Sequence, residues 1–355
     1  MAAKASRNLA ANVSACVVGP MNSVSWFVPF RGFCGKVARM AVSHRRRAAP
    51  TWSHDVARVA AGIRRRVLAF TLRNNGGYLS QACSSAEILA TLYLRSMRLG
   101  ESTAPADPPG FAGAPGSTSG RALTGAGYNG PPDPGLDRFV FSPVHYALVL
   151  YSTLIEVGRL SPAALDQHFN VDGSTVELIG AEHSPGHEVT AGSLAQALSQ
   201  AAGIALARRL KGETGRVFVF MSDGEFQEGQ TWEALAALAQ HRLDNLVIVI
   251  DANGQQCDGQ LEAVGHVEPL ADRLAAFGAC VREVDGHDPL ALDRAIGKRK
   301  PGAATVVIAR TDPCRGLALL RARAPQLHYV RFTSSGERAA YRQALARLGS
   351  ADQEG

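Results

Sequence analysis

The sequence predicts an α/β protein built on a doubly wound parallel sheet that is flanked by helices. Two short, continuously apolar runs, VFVFM at 217–221 and LVIVI at 246–250, are typical of parallel strands buried on both faces. A helical pattern around 229–242 separates them, which gives a strand–helix–strand unit. Ligands in such sheets bind beyond the carboxyl ends of the strands, so we expect the functional site at that edge.

The first predicted elements are two helices followed by a long loop. Residues 54–74 carry apolar side chains at helical spacing. A second helix is predicted from about Ser84, because Glu87 follows three residues later in a capping-box pattern. The stretch 101–136 then contains eight Gly and seven Pro, which predicts a loop. This loop is either a lid over a site or a tolerated insertion.

The rest of the chain alternates between strands and helices. FVF at 139–141 predicts a short strand and 145–157 a helix. A long Ala-rich helix is expected from about Ser193 to Leu210, opening after Gly192. After the two buried strands come weaker strand signals at 280–284 and 305–309, and a last helix at about 336–348.

The basic charge of the chain is confined to its first residues. The 355 residues have a formal net charge of +6 at pH 7. Eight of the 37 basic residues and none of the 31 acidic ones lie in the first 50 positions, so the remainder has 29 basic against 31 acidic groups. A slightly acidic body does not support a nucleic-acid-binding function.

The acid-free leader, residues 1–53, is expected to be disordered and to precede one domain at 54–350. Its Arg-, Ala- and Ser-rich composition is that of an organellar transit peptide, but a flexible tail or a non-native extension before Met21 or Met40 would look the same. The six cysteines show no metal-ligand spacing, and no apolar run is long enough to span a membrane. We expect a cytoplasmic protein, or an organellar one if the leader is a transit signal.

Polar residues follow the two buried strands at the expected ligand-binding edge. Asp223 comes directly after the first strand and Asn253, thirty residues on, directly after the second. A right-handed crossover brings both loops to the same edge, where a carboxylate, an amide oxygen and backbone carbonyls suit Mg²⁺. Gly224 would let the backbone approach a phosphate closely. Alternatively, Asp223 only caps a helix and Asn253 only makes a turn.

The segment 217–259 resembles the thiamine diphosphate signature of the transketolase family. That signature reads GDG, then EGxxWEA, then NNG one strand–helix–strand unit later. Here the matching stretches are SDG at 222–224, EGQTWEA at 228–234 and ANG at 252–254. The EGxxWEA element separates transketolases from 2-oxo-acid dehydrogenases and decarboxylases, which share only the Asp/Asn pair.

Further segments are similar to family elements. DRFVFSPVH at 137–145 resembles DRFVLSNGH, and GHEVTAGSLAQALS at 186–199 resembles GVETTTGSLGQGLS. The similarity extends from about 54 to about 348 and implies the thiamine-diphosphate-binding fold. It also implies Mg²⁺ ligands at Asp223, Asn253 and Gln255, catalytic residues at Tyr78, His145 and His328, and a cofactor site made by His145, Gly192, Ser193, Ser222, Asp223, Gly224, Glu225 and Asn253.

The most consequential departure from the family pattern is at Tyr78. An ungapped alignment with the family's SGHPGGSLSAADIL places Tyr78 at a histidine that helps proton transfer at the donor sugar. A tyrosine, with an ordinary pKa near ~10, is a poor proton shuttle at neutral pH, so altered substrate or altered proton handling is expected. Val144 replaces a glycine before His145 and is expected to narrow the site.

The resemblance covers only the first domain of full-length transketolases, whose next domain binds the cofactor's pyrimidine ring. We therefore expect the N-terminal subunit of a split transketolase. It would act on sugars or sugar phosphates in two-carbon ketol transfer, together with a separate C-terminal pyrimidine-binding subunit in a heterotetramer. Two alternatives remain at this point: a subunit of another thiamine-dependent enzyme (acyloin-forming or 2-oxo-acid-converting), and a non-catalytic cofactor-binding scaffold.

Overall fold

A computed structural model describes residues 50–113 and 124–351. Its strands are β1 (Arg138–Phe141), β2 (Val217–Ser222), β3 (Leu246–Ala252), β4 (Gln255–Gln256), β5 (Gly259–Gln260), β6 (Cys280–Asp285) and β7 (Thr305–Arg310). Its α-helices are α1 (Thr51–Asn74), α2 (Leu79–Thr91), α3 (Ala147–Glu156), α4 (Ala163–Gln167), α5 (Gln196–Leu210), α6 (Gly229–Gln240), α7 (Leu261–Val264), α8 (Leu270–Ala276), α9 (Pro289–Gly297) and α10 (Ser335–Ala351).

Five strands form one sheet in the order β1–β2–β3–β7–β6, and every neighbouring pair is parallel. β2 and β3 lie at its centre, with Val219 opposite Ile248. The short strands β4 and β5 form a separate antiparallel hairpin directly after β3. Because the strands are parallel, the loops after β1, β2 and β3 emerge at one edge of the sheet.

Helices cover both faces of the sheet. Alternate strand residues such as Phe218 and Phe220 join α1, α2, α3 and α9 in one apolar core. The residues between them, such as Val219 and Met221, join α5, α6 and α8 in a second core. Each fully buried side chain of this kind contributes about 1.5–3 kcal/mol to folding. The predicted doubly wound parallel sheet is thus confirmed.

The second helix begins at Leu79, so its predicted start at Ser84 is wrong. Ser84 lies within α2, where its hydroxyl donates to Asp251 Oδ2 at 2.6 Å. Glu87 makes no capping box, since its carboxylate instead contacts the Arg64 guanidinium and His287 Nδ1. Other predicted elements agree with the structure to within a few residues. Among these, α5 starts at Gln196 rather than Ser193, after the left-handed residue Ala195.

The Gly/Pro-rich loop at 101–136 is described except for residues 114–123, which lie outside the described part of the chain. Gly110 forms a β-bridge with Ser174, and Gly125 donates its N–H to the Glu182 carbonyl oxygen at 2.6 Å. The described parts of the loop therefore pack on the segment that precedes α5. None of these described parts lines the clefts beside β2 and β3.

The leader lies almost entirely outside the described residues, which begin at Pro50. Helix α1 starts at Thr51, three residues before the predicted domain boundary. The disorder of the leader and the domain boundary after residue 53 both stay predictions. Within residues 50–113 and 124–351, no helix is long and apolar enough to cross a membrane.

Candidate functional site

The carboxyl ends of β2 and β3 bring Asp223 and Asn253 together. Asp223 begins a 3₁₀ turn directly after β2, and Asn253 follows β3 before the β4–β5 hairpin. The N–H of Gly254 donates to Asp223 Oδ2 at 2.7 Å, so the two loops touch. The crossover geometry predicted from the spacing of these residues is therefore present.

The Asp223 carboxylate is buried with one oxygen left without a partner. The residue is only 3% exposed, and Oδ1 has no hydrogen-bond donor among the described residues. Burial raises the pKa of this carboxyl to about 8, against the smaller opposing effect of the Gly254 N–H. An orphaned buried carboxylate oxygen is costly unless a cation binds it.

The Asn253 amide is held in one orientation by its neighbours. Its nitrogen donates to the Tyr146 hydroxyl at 2.9 Å and to Asp251 Oδ2 at 3.1 Å. Its oxygen accepts the Gln255 N–H at 2.9 Å and so faces the same loop. The side-chain oxygen of Gln255 is also buried, with no donor among the residues that the structure describes.

Asp251 is the centre of the network that supports Asn253. It lies in β3, is fully buried, and accepts hydrogen bonds from Ser84 at 2.6 Å, from Thr311 at 2.5 Å and from Tyr146 at 3.1 Å. These partners belong to α2, the segment after β7 and the turn before α3. We did not predict this group from sequence, although an acid at the end of an apolar strand was a signal.

The donor set fits Mg²⁺ better than a softer metal. The described residues contain no group of three or more His, Cys, Asp or Glu able to hold a metal ion. One carboxylate, one amide oxygen and the oxygens of the Gln255 loop match an ion that prefers oxygen and usually keeps water or phosphate ligands. The orphaned Asp223 oxygen is the feature of the fold that such an ion would satisfy.

Glu225 fixes the loop between β2 and α6. Its carboxylate is fully buried and accepts the N–H groups of Ser222 at 2.8 Å and Ala195 at 3.1 Å, together with the Ser142 hydroxyl. With Ser222 it forms a capping box for the 3₁₀ turn. Both of its oxygens accept hydrogen bonds that position the loop, and its predicted contact with a cofactor stays a prediction.

A cleft of about 350 Å³ opens beside this loop. Its volume lies within the usual range for small-molecule sites. It is lined by Tyr78, Val144, His145, Tyr146, Leu178, Ile179, Gly192, Leu194, Ser222, Gly224, Gln227, Gln255, Gln256, Cys257 and His328.

Tyr78, His145 and His328 meet in the cleft although they are far apart in sequence. The Tyr78 ring centroid lies 5.5 Å from that of His145 and 5.4 Å from that of His328, and the two imidazoles are 4.9 Å apart. A β-bridge between Gly77 and Val330 holds the segment that contains Tyr78 beside the segment that contains His328.

Burial favours the uncharged form of all three rings. Burial, assisted by the nearby His328, lowers the pKa of His145 to about 3. Burial also lowers the pKa of His328 and raises that of Tyr78. In their uncharged forms the three side chains can donate and accept hydrogen bonds.

A profile of the family described as "Transketolase, thiamine diphosphate binding domain" matches residues 126–312, more than half of the chain. The chain belongs to the transketolase family. Members of this family are transferases, and the matched segment contains β1, β2, β3 and the residues that follow them.

Relatives of this transketolase-family chain differ greatly in length. A transketolase family protein of Sinorhizobium fredii is 34% identical over 277 residues, which cover 77% of this chain and 88% of that protein. An apulose-4-phosphate transketolase subunit of Actinobacillus succinogenes is 28% identical, with 78% of this chain and 90% of that protein covered. Mouse transketolase-like protein 2 is 33% identical over 73% of this chain, which spans only 37% of its length.

Solved transketolase structures share the fold. The transketolase of Leishmania mexicana superposes with a TM-score of 0.59 at 21% identity, covering 84% of this chain and 46% of the other. At this identity the likeness shows the fold alone.

The structure brings most of the predicted site residues of this transketolase-family protein to one edge of the sheet. Ser222, Gly224 and Gly192 line the cleft, and Gly192 has a φ of +122° that favours glycine. Ser193 is exposed beside Gly192 but does not line the cleft. Asp223 and Asn253 line a neighbouring cleft of about 460 Å³, which shares Gln255 with the first.

Proposed function

We propose that this chain binds the diphosphate end of thiamine diphosphate through Mg²⁺ and takes part in two-carbon ketol transfer between a ketose and an aldose. The observation that carries the proposal is the buried, unpartnered Oδ1 of Asp223 beside Asn253 and Gln255, within the part of the chain that the structure describes. A family whose matched domain binds thiamine diphosphate supplies the cofactor class.

Asp223, Asn253 and Gln255 would hold the Mg²⁺ ion, and Gly192, Ser222 and Gly224 would lie along the diphosphate, with Ser193 beside them. Asp251 would keep the Asn253 amide oxygen available to the ion, since its carboxylate accepts from the amide nitrogen. When bound, thiamine diphosphate supplies the electron sink that two-carbon transfer requires.

Three ring side chains of the cleft, Tyr78, His145 and His328, would take part in proton transfer at the substrate. In ketol transfer the bond between carbons 2 and 3 of the ketose breaks, an aldose leaves, and the two-carbon unit bonds to an acceptor aldehyde. Tyr78, His145 and His328 are neutral hydrogen-bonding groups that would orient these oxygens and hold the proton that moves. His328 is itself fixed, because Gln81 donates to its carbonyl oxygen at 3.0 Å.

We infer that a second chain completes the enzyme, as a pyrimidine-binding subunit in a heterotetramer. Support comes from the relatives that this chain covers along most of their length, one of which is named a transketolase subunit. Sugars or sugar phosphates are the proposed substrate class.

The test combines cofactor binding with turnover. The chain, purified with the partner that co-purifies with it from its native cell, should bind thiamine diphosphate only when Mg²⁺ is present, by calorimetry. The complex should transfer a two-carbon unit from a ketose to an aldehyde, whereas the isolated chain should not. Binding without transfer from any ketose would favour a scaffold or another thiamine-dependent reaction.

We also propose a cytoplasmic location, with an organellar one as the alternative. Mass spectrometry of the native N-terminus tests this: cleavage within residues 1–53 after import supports a transit signal, whereas a start at Met40 removes it.

A further inference from the structure

We propose that Gly286 and His287, in the turn after β6, position the metal site by holding Thr311 so that its hydroxyl stays on the Asp251 carboxylate. The inference rests on the proposed function, because Asp251 orients Asn253, one of the proposed Mg²⁺ ligands. Neither Gly286 nor His287 lines the clefts beside β2 and β3, so both are positioning residues.

Thr311 holds one oxygen of the Asp251 carboxylate by itself. Its hydroxyl donates to Oδ1 at 2.5 Å, and no other group of residues 50–113 and 124–351 donates to that oxygen. The remaining donors all reach Oδ2: Ser84, Tyr146 and Asn253. Without the Thr311 hydroxyl, a fully buried oxygen would lack a donor and the carboxylate could turn away from the Asn253 amide.

Gly286 leaves the space that the Thr311 side chain occupies. In the parallel pair β6–β7, Asp285 lies opposite Arg310, so the residues that follow them are neighbours just beyond the strand ends. A Cβ placed on Gly286 would overlap the Thr311 Cγ2 methyl group and lie 3.1 Å from Ala309 Cβ. The Gly286 N–H donates to the Arg310 carbonyl oxygen at 2.8 Å, which fixes this close approach. A side chain at position 286 would therefore displace Thr311.

His287 fixes the residue that follows Thr311. Its Nε2 accepts the Asp312 N–H at 2.8 Å. A backbone N–H can only donate, so this nitrogen carries no proton and the imidazole proton lies on Nδ1. Nδ1 therefore donates to the Glu87 carboxylate at 3.0 Å, which also accepts from the Arg64 guanidinium. The imidazole thus ties the segment after β7 to a buried ion pair between α1 and α2.

Replacement of Thr311 tests its hydroxyl separately from its packing. The experiment uses the complex of the full chain with its native partner and measures, by calorimetry, the Mg²⁺ dependence of thiamine diphosphate binding. Thr311→Val keeps both branches of the side chain but loses the donor, and it should weaken the apparent Mg²⁺ affinity about 10- to 100-fold. Thr311→Ser loses the methyl group but keeps the donor, so its loss should stay below about tenfold.

Gly286→Ala should also weaken the apparent Mg²⁺ affinity by about tenfold or more, because the new Cβ displaces Thr311. The double variant Gly286→Ala/Thr311→Ser removes the overlapping methyl group and keeps the hydroxyl, so it should regain most of the lost affinity. Gly297→Ala is the matched control. Nothing lies within 4 Å of a Cβ placed on Gly297, at the end of α9, so the affinity should not change.

His287→Leu removes the acceptor for the Asp312 N–H and should weaken the apparent Mg²⁺ affinity about tenfold. Combined with Thr311→Val it should cause no further loss, because the hydroxyl that it positions is already absent. Light scattering and the melting temperature check that each complex is assembled and folded. This pair of variants decides the question if Gly286→Ala does not assemble.

Failure of the inference can be distinguished from failure of the proposed function. Thiamine diphosphate binding by the wild-type complex without Mg²⁺ overturns the proposed function and the inference with it. Mg²⁺-dependent binding in wild type, with normal Mg²⁺ affinity in Thr311→Val or Gly286→Ala, overturns the inference alone. A double variant as weak as Gly286→Ala, or additive losses from His287→Leu and Thr311→Val, also overturns it, because these residues then act only in folding.

Discussion

Two regions at the same edge of the sheet are built in opposite ways. The region around Asp223, Asn253 and Asp251 is polar, buried and crossed by hydrogen bonds from four parts of the chain. The segment around Leu178 and Ile179, which lines the neighbouring cleft, is apolar and partly exposed, and it contains neither helix nor strand.

The difference between the two regions indicates which part of the site tolerates amino-acid substitution. A buried polar network is costly to alter, because each member left without a partner loses its hydration and gains nothing in return. Apolar residues in an exposed loop can be exchanged with little effect on folding. We expect the first region to hold the metal ion and to tolerate few substitutions, and the second region to tolerate more of them.

The largest effect is expected for Asp223→Ala, which removes a proposed metal ligand from the polar region. Mg²⁺-dependent thiamine diphosphate affinity of the assembled complex should fall more than about 100-fold, since even groups that only orient metal ligands are worth about 10- to 100-fold. The measurement is calorimetry or quenching of protein fluorescence by the cofactor. Asp258→Ala removes an exposed carboxylate from the neighbouring β4–β5 hairpin and should bind the cofactor normally. Unchanged affinity in Asp223→Ala would overturn the metal assignment.

Asp251→Asn tests the supporting hydrogen-bond network without replacing a proposed metal ligand. The apparent Mg²⁺ affinity should fall about 10- to 100-fold, because the amide would present a donor where Ser84, Thr311, Tyr146 and Asn253 all donate.

The control for this network is Ser84→Ala, which removes only one of the four donors to Asp251 and should cost less than Asp251→Asn. Mg²⁺ titration of cofactor binding is measured together with the melting temperature. A lower melting temperature with normal Mg²⁺ affinity would mean that Asp251 acts only in folding.

Glu225→Gln should destabilise the fold by about 1–3 kcal/mol, because its amide nitrogen would face backbone N–H donors in a buried site. Glu228→Gln, at an exposed position directly after the same 3₁₀ turn, should change stability by less than about 0.5 kcal/mol. Urea denaturation compares the two variants. Equal effects would show that Glu225 is not needed to hold the loop.

The last expected effect is confined to acid pH and is a change in the pH dependence of stability in His145→Gln. The pKa of His145 is lowered to about 3 in the folded protein, so between about pH 6.5 and 3 the unfolded chain binds more protons at this residue. Its contribution to stability is therefore lost as the pH falls through that window, with a slope of up to about 1.4 kcal/mol per pH unit.

The variant should lack this slope, as measured by urea denaturation from pH 8 down to pH 4. At pH 8 the imidazole is neutral in both the folded and the unfolded chain. The free energies of unfolding of wild type and variant are therefore each expressed relative to their values at pH 8. An identical slope in wild type and variant would contradict the burial of a neutral His145.

The sheet could be predicted from sequence because its signals are local. VFVFM and LVIVI are apolar without interruption, and β2 and β3 extend only one and two residues beyond them. The start of α2 could not be predicted in this way. Ser84 and Ser85 have the composition of a cap, but both lie inside the helix, where the Ser84 hydroxyl donates to Asp251 and the Ser85 hydroxyl to the Gln81 carbonyl oxygen.

The sequence alone determined the fold class, the positions of Asp223 and Asn253 and the resemblance to transketolases, because each depends on residue type and short spacing. Only the tertiary structure decided that Asp251 collects donors from distant segments and that Tyr78, His145 and His328 meet in one cleft. These contacts join residues far apart in the chain, and they exist only once helices pack on both faces of the sheet and bring their loops to one edge.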